Sequence, residues 1–165
     1  MLFSQKNAVI MIADVNTTVS GNTELNSVNM ALYDHATFII QIASTLVIAS
    51  TAQITLESAT SDSGDTADVT FHYRISTATQ ATLSSAGTYG ADATASLISI
   101  ASAADFAGKT VLLEVDGDEL RSSTAGLVYN WVTVDIESGI TTGRISAYAI
   151  LSNPRFAGAS MPVAI

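Results

Sequence analysis

Apolar and polar residues alternate with a period of two along most of this chain, the spacing of a strand with one buried face. The clearest case is VTFHYRIS, where Val69, Phe71, Tyr73 and Ile75 point one way and Thr70, His72, Arg74 and Ser76 the other. The same alternation joins Val28, Met30 and Leu32, then Phe38, Ile40 and Ile42, then Ile54 and Leu56. Towards the C-terminus it recurs at Val111, Leu113 and Val115, at Val132, Val134 and Ile136, and at Ile145, Ala147, Ala149 and Leu151. A weaker strand is predicted around Leu97 to Ile100, followed by one helical turn from Ser102 to Ala107 that Gly108 closes.

Turn-forming stretches separate these segments: TSDSGDTAD, SSAGTYGAD, DGDELRSSTAG and ESGITTG. About eight short strands divided by such turns predict an all-β fold, an antiparallel β-sandwich or jelly roll. Both prolines, Pro154 and Pro162, fall in the closing NPRFAGASMPVAI, expected beyond the last strand as an extended and rather apolar arm. The expected organisation is an N-terminal arm or edge strand over residues 1–20, a sandwich over 21–152, and a C-terminal arm over 153–165.

A nucleotide site is the first chemistry to weigh, because Gly108, Lys109 and Thr110 match the end of a phosphate-binding loop. Such a loop needs a glycine five positions before the second one, and a helix after the lysine. Here that position is Ala103, and the lysine leads into TVLLEVD, which reads as a strand. Gly108 is better explained as a left-handed residue that ends a helical turn.

The remaining candidates are thin. His35 and His72 are the two histidines, and no nucleophile elbow accompanies them. Asp62, Asp65 and Asp68 in one loop, and Asp116, Asp118 and Glu119 in another, do not follow the twelve-residue calcium-loop pattern and read as solvated turns. No cysteine is present, which removes disulfides and thiolate metal sites. No cofactor, metal or catalytic residue is expected, and the chain is not expected to be an enzyme.

Alanine, serine and threonine supply 65 of 165 residues, while only 13% are charged, below the usual share of about 25%. A surface with few ions is covered by a neighbour at little desolvation cost, which favours an assembly subunit. The net charge of −9, with six scattered cations, excludes the basic patch that nucleic acid requires. Ala36 to Leu56 is a run of 21 uncharged residues, long enough to span a bilayer. Eight Ser, Thr and Gln side chains interrupt it, so two strands and a turn are expected there, and no membrane contact.

Two groups of contact residues are expected. If Val132, Val134 and Ile136 face the core, Tyr129, Trp131, Thr133, Asp135 and Glu137 share the outer face. An outward Tyr/Trp pair marks either a contact surface or a face covered by the chain's own arm or loop. The C-terminal arm contributes Arg155, Phe156, Met161, Pro162 and Ile165.

Read together, FAGKTVLLEVDGDEL, YNWVTVDIESG and ISAYAILSNPRFAGASMP resemble small structural proteins encoded among the head genes of tailed bacteriophages. The matching positions are Gly108, Lys109, Val111, Glu114, Val115 and Asp116, then Pro154, Arg155, Phe156 and Ala157, within residues 104 to 165. The resemblance implies a capsid decoration, or cement, protein on the outer surface of the phage head. It would associate with itself as a homotrimer and bind the assembled major capsid protein at local threefold positions. A carbohydrate-binding or adhesion β-module using Tyr129 and Trp131 is the alternative from another class, and a tail or connector subunit the alternative within the structural class.

Overall fold

Hydrogen-bonded pairing gathers the strands into two sheets in which every ladder is antiparallel. A computed structural model of the chain describes residues 6–62, 67–79, 88–120, 127–137 and 139–155. In the larger sheet β1 (Ala8–Val19) forms one edge. β13 (Ile140–Pro154), β4 (Tyr33–Ile42), β11 (Thr110–Asp116), β8 (Phe71–Ile75) and β9 (Ala93–Ala95) follow in that order. A short β5 (Val47–Ile48) also pairs with β13. The smaller sheet is centred on β6 (Ala52–Ala59) and β12 (Trp131–Glu137). β10 (Leu97–Ile100) and β7 (Ala67–Asp68) pair with β6, while β2 (Thr23–Glu24) and β3 (Val28–Asn29) pair with β12.

Eight of the strands among the described residues have four residues or more, and five have two or three. Seven of the eight longer strands, β4, β6, β8 and β10 to β13, are those whose alternation the sequence displays; the eighth, β1, does not alternate and takes the edge position, and the Val28, Met30 and Leu32 alternation yields only the two-residue β3. The other short strands have too few residues for a period to be read.

One core lies between the sheets. Phe38, Ile40, Phe71, Val111 and Leu113 from the larger sheet join Ile54, Leu56, Ile98, Val132 and Val134 from the smaller one, all buried. Burying a side chain of this size stabilises the fold by roughly 1.5–3 kcal/mol. The VTFHYRIS register is as expected, with Phe71 buried and His72 and Arg74 exposed.

The glycine–lysine stretch lies at the join of a helical turn and a strand. Ser102 caps α1 (Ala103–Phe106), its hydroxyl accepting the Ala104 N–H at 3.3 Å, and Phe106 plugs the core. Gly108 closes the turn at φ +73°, and Lys109 leads directly into β11. The uncharged run from Ala36 to Leu56 is likewise resolved into most of β4, the short β5 and half of β6. Among the described residues no helix is long and apolar enough to cross a membrane.

Pro154 departs from expectation by ending β13 instead of following it, opposite Tyr33. The Arg155 N–H donates to Leu32 O at 2.9 Å on the β4 side, so the nitrogen of residue 154 faces the other side. There the β1 ladder has already closed at the Ala8–Leu151 pair, and the missing N–H interrupts no bond.

Candidate binding face

The larger sheet has a polar half and an apolar half on the side turned away from the core. Directly paired positions point to the same face. With Phe38, Leu113 and Ala149 inward, one outer row runs Met11, Tyr148, Ile39, Leu112 and Arg74 across five strands. The next row runs Val9, Ile150, Thr37, Glu114, His72 and Thr94. Beyond it stand Ser152, His35 and Asp116.

The apolar half comprises Val9, Met11, Ile39, Leu112, Tyr148 and Ile150. Val9 and Met11 are 58% and 47% exposed, and the other four are half-buried against their neighbours on the sheet. A contiguous apolar patch on a sheet face is the feature that separates interaction surfaces from the scattered exposed apolar residues of any protein. Its rim is β1, the last strand of the sheet among the described residues, where register shifts between Met11 and Ala13 and between Ala13 and Thr17 bend the strand. Asn16 sits there at φ 64°, accepting from Arg144 Nη1 through its carbonyl, and Val15 stands 65% exposed. Bulges of this kind twist an edge out of line with a partner strand, which limits indiscriminate pairing.

The polar half forms an open depression of about 170 Å³ that brings both histidines together with Arg74, Asp92, Glu114 and Asp116. His35 Nδ1 lies 2.7 Å from Asp116 Oδ1; an ionised carboxylate only accepts, so this nitrogen carries the proton. Its Nε2 is 3.2 Å from Thr37 Oγ1 and 3.8 Å from Glu114 Oε1. His72 Nδ1 is 2.9 Å from Asp92 Oδ2, and Arg74 Nε is 3.6 Å from the other oxygen of the same carboxylate. The hydrogen bond to Asp92, and then the charge of Asp92, raise the His72 pKa above its ordinary value. Reciprocally, the hydrogen bond to His72 and the charges of His72 and Arg74 lower that of Asp92. Glu119 closes the lower end, its carboxylate accepting the Asp116 N–H at 2.8 Å.

Four carboxylates against Arg74 and two histidines make this depression acidic. Among the described residues no serine or cysteine lines it, and the hydroxyls nearest the imidazoles are those of Thr37, on His35 Nε2, and Thr94, 3.5 Å from His72 Nδ1. What it offers is a seat for a basic side chain, beside a stripe that takes apolar ones.

The residues singled out from sequence are placed as follows. Trp131 is half-buried on the outer face of the smaller sheet, opposite Ala59 and Asn29. Tyr129 is not beside it: only 7% exposed, it belongs to the core. The alternation that points Tyr129 outward holds only within a strand, and β12 starts at Trp131. No Tyr/Trp stacking platform is formed, and Thr133 and Asp135 on the expected outer face are also buried. Arg155 is tied to the end of the larger sheet, its Nε 2.6 Å from Asp34 Oδ1 and its guanidinium packed over Gly117. Phe156, Met161, Pro162 and Ile165 lie outside the described residues. So does Asp65, while Asp68 pairs opposite Glu57 in β7.

The apolar half follows no motif, yet its signal is present in the sequence. A strand with one solvated face alternates, whereas FII around Ile39 and VLL around Leu112 are apolar at consecutive positions. Tyr148 and Ile150 do the same by interleaving large residues between the inward Ala147, Ala149 and Leu151. No family model matches the sequence, and no curated protein is significantly similar to it.

Proposed function

We propose that the chain is a structural building block of a virion, a decoration protein that works by adhesion. Copies associate about a symmetry axis as a homotrimer through the outer face of the larger sheet, and the oligomer binds the assembled major capsid protein on the outside of a phage head. The observation that carries the adhesive part is the apolar half-face of Val9, Met11, Ile39, Leu112, Tyr148 and Ile150, continuous with the edge strand β1. The low proportion of charged residues supports the same reading, since such a surface is covered cheaply. The assignment to a phage head rests on the resemblance carried by residues 104 to 165.

In this reading the shell is stabilised by linkage, because the protein binds the assembled lattice and not its separated subunits. Contacts that are weak singly act together once the trimer holds them at high effective concentration. The C-terminal segment with Phe156, Met161, Pro162 and Ile165 leaves from Arg155, which the Asp34 ion pair anchors at the end of the sheet. Trp131, half-buried on the other sheet, adds a second contact position. The buried Tyr129 takes no direct part, which also weakens the carbohydrate-binding alternative, since a stacking platform needs an exposed ring.

The test is to mix the purified protein with empty expanded capsids of a tailed phage and to image the particles. Density at local threefold positions is expected, lowered in a chain cut after Arg155. A protein that stays monomeric at high concentration and leaves the capsids bare would refute the proposal.

A further inference from the structure

The outer face of the smaller sheet holds a polar cluster that is separate from the binding face. At its centre β6 and β12 run side by side, with Glu57 opposite Thr133, Thr55 opposite Asp135, and Gln53 opposite Glu137. The core takes the alternate set, Ile54, Leu56, Val134 and Ile136, so these six side chains share the other face. Glu57, Asp135 and Glu137 bring carboxylate oxygens within 4.8 Å of one another. Glu57 and Asp135 are only 9% and 7% exposed. Flanking strands add Glu24 opposite Asp135 and Asp68 opposite Glu57. The six strands of this sheet contain no lysine, arginine or histidine.

A second observation points the same way. Thr55, 4% exposed, sits in the middle of this group, across from Asp135 and two positions from Glu57, and its buried hydroxyl oxygen has no hydrogen-bond partner among the described residues. Buried hydroxyls almost always have a partner, and one left without it beside carboxylates has its lone pairs available to a ligand.

We propose that Glu57, Asp135, Glu137 and Thr55 form a binding site for calcium. A cation among three carboxylates this close, two of them on buried side chains, offsets their mutual repulsion and replaces the water they lack. All the donors are hard oxygens, without the nitrogen or sulfur that zinc or copper selects. Bonds of about 2.3–2.6 Å let calcium bridge oxygens nearly 5 Å apart, and waters complete its six to eight ligands. Magnesium, with bonds of about 2.0–2.1 Å and a rigid octahedron, fits this spread poorly. The ion would clip the two central strands of the sheet together and so raise the stability of the fold. This site does not depend on the proposed capsid role.

The test uses the full chain stripped of metal by a chelator and titrated with calcium chloride at constant ionic strength, followed by calorimetry and by melting temperature. One ion per chain and a melting temperature that climbs with calcium are expected. Glu137 is only half-buried, so Glu137→Gln folds normally and should bind at least ten-fold more weakly. Thr55→Val, which keeps the shape and removes the oxygen, should also bind more weakly. Asp14→Asn, which removes an exposed charge on β1 of the other sheet, should bind as the wild type does. The proposal is overturned if nothing saturates by about 10 mM, above the weakest range of calcium modules. It is equally overturned if Glu137→Gln binds like the wild type, or if magnesium acts as well as calcium.

Discussion

Replacing Val9 and Met11 together by lysine attacks the proposed contact where it is most exposed. Both residues lie on the outward side of an edge strand, opposite Ile150 and Tyr148. Complete burial of a valine or methionine contributes about 1.5–3 kcal/mol. Since 58% and 47% of the two residues remain accessible, about half of that is still to be gained on association, roughly 1 kcal/mol each. One interface thus loses roughly 2 kcal/mol and the three interfaces of a closed trimer roughly 6 kcal/mol, a shift of about 10⁴-fold in the trimer–monomer equilibrium. Two ammonium groups forced into the contact add a desolvation penalty, and lysine is a natural guard of sheet edges. Sedimentation velocity or native mass spectrometry over a micromolar concentration range should show a trimeric wild type and a monomeric variant. At a dilution where both chains are monomeric the melting temperature should barely differ, because exposed substitutions usually change stability by less than about 0.5 kcal/mol. A variant that stays trimeric at the lowest concentration would show that the oligomer is built on some other surface.

Two further predictions concern the fold and its charges. Gly139 stands at φ +97°, and a Cβ there would come within 2.5 Å of Ser50 O and 2.6 Å of Thr51 O, so Gly139→Ala combines backbone strain with a collision against main chain. A loss of about 3 kcal/mol is expected, or a melting temperature lower by roughly 6–12 °C; a drop under about 2 °C contradicts the geometry. The His72–Asp92 pair gives a pH dependence of definite sign. The raised His72 pKa adds stability that is complete below the unfolded value of 6.5 and disappears as pH rises through the folded pKa. The lowered Asp92 pKa adds stability present above 3.8 and lost as pH falls through its folded value. Proton NMR should place the His72 midpoint above 6.5, and Asp92→Asn should bring it down; a midpoint unmoved by that substitution rules out the pairing as its cause.

The alternating segments were legible because each strand presents one face to a single core: Phe71, Val111, Leu113, Val132 and Val134 are all buried as their spacing requires. Ser102 and Gly108 were legible because capping chemistry is local. What failed was extrapolation past a strand's end. Tyr129 has the parity of Trp131, but it precedes the start of β12, and its side chain lies in the core. Pro154 failed in the opposite sense, because proline is compatible with a strand end once no partner needs its N–H. The functional surfaces depend on register, which no single strand carries. Met11, Tyr148, Ile39 and Leu112 come from four segments, and only the β1–β13–β4–β11 pairing makes them neighbours. In the same way His72 meets Asp92 through the β8–β9 ladder, and Glu57 meets Asp135 and Glu137 through the β6–β12 ladder.

The two outer faces also differ in charge, and that difference separates the two contacts the proposed role requires. The larger sheet offers an apolar patch, whose association is insensitive to moderate salt or is strengthened by it. The smaller sheet offers Glu24, Glu57, Asp68, Asp135 and Glu137 with no base on its strands, a field suited to docking on a positively charged patch of the shell. Raising the salt shortens the screening length from about 8 Å at 0.15 M to about 3 Å at 1 M. Trimers held by the apolar face should therefore persist at high salt while capsid occupancy falls, with calcium kept constant throughout. If occupancy survives and the trimer dissociates instead, the assignments are reversed: the acidic depression around Glu114 and Asp116 then makes the contact between copies, and the apolar stripe faces the shell.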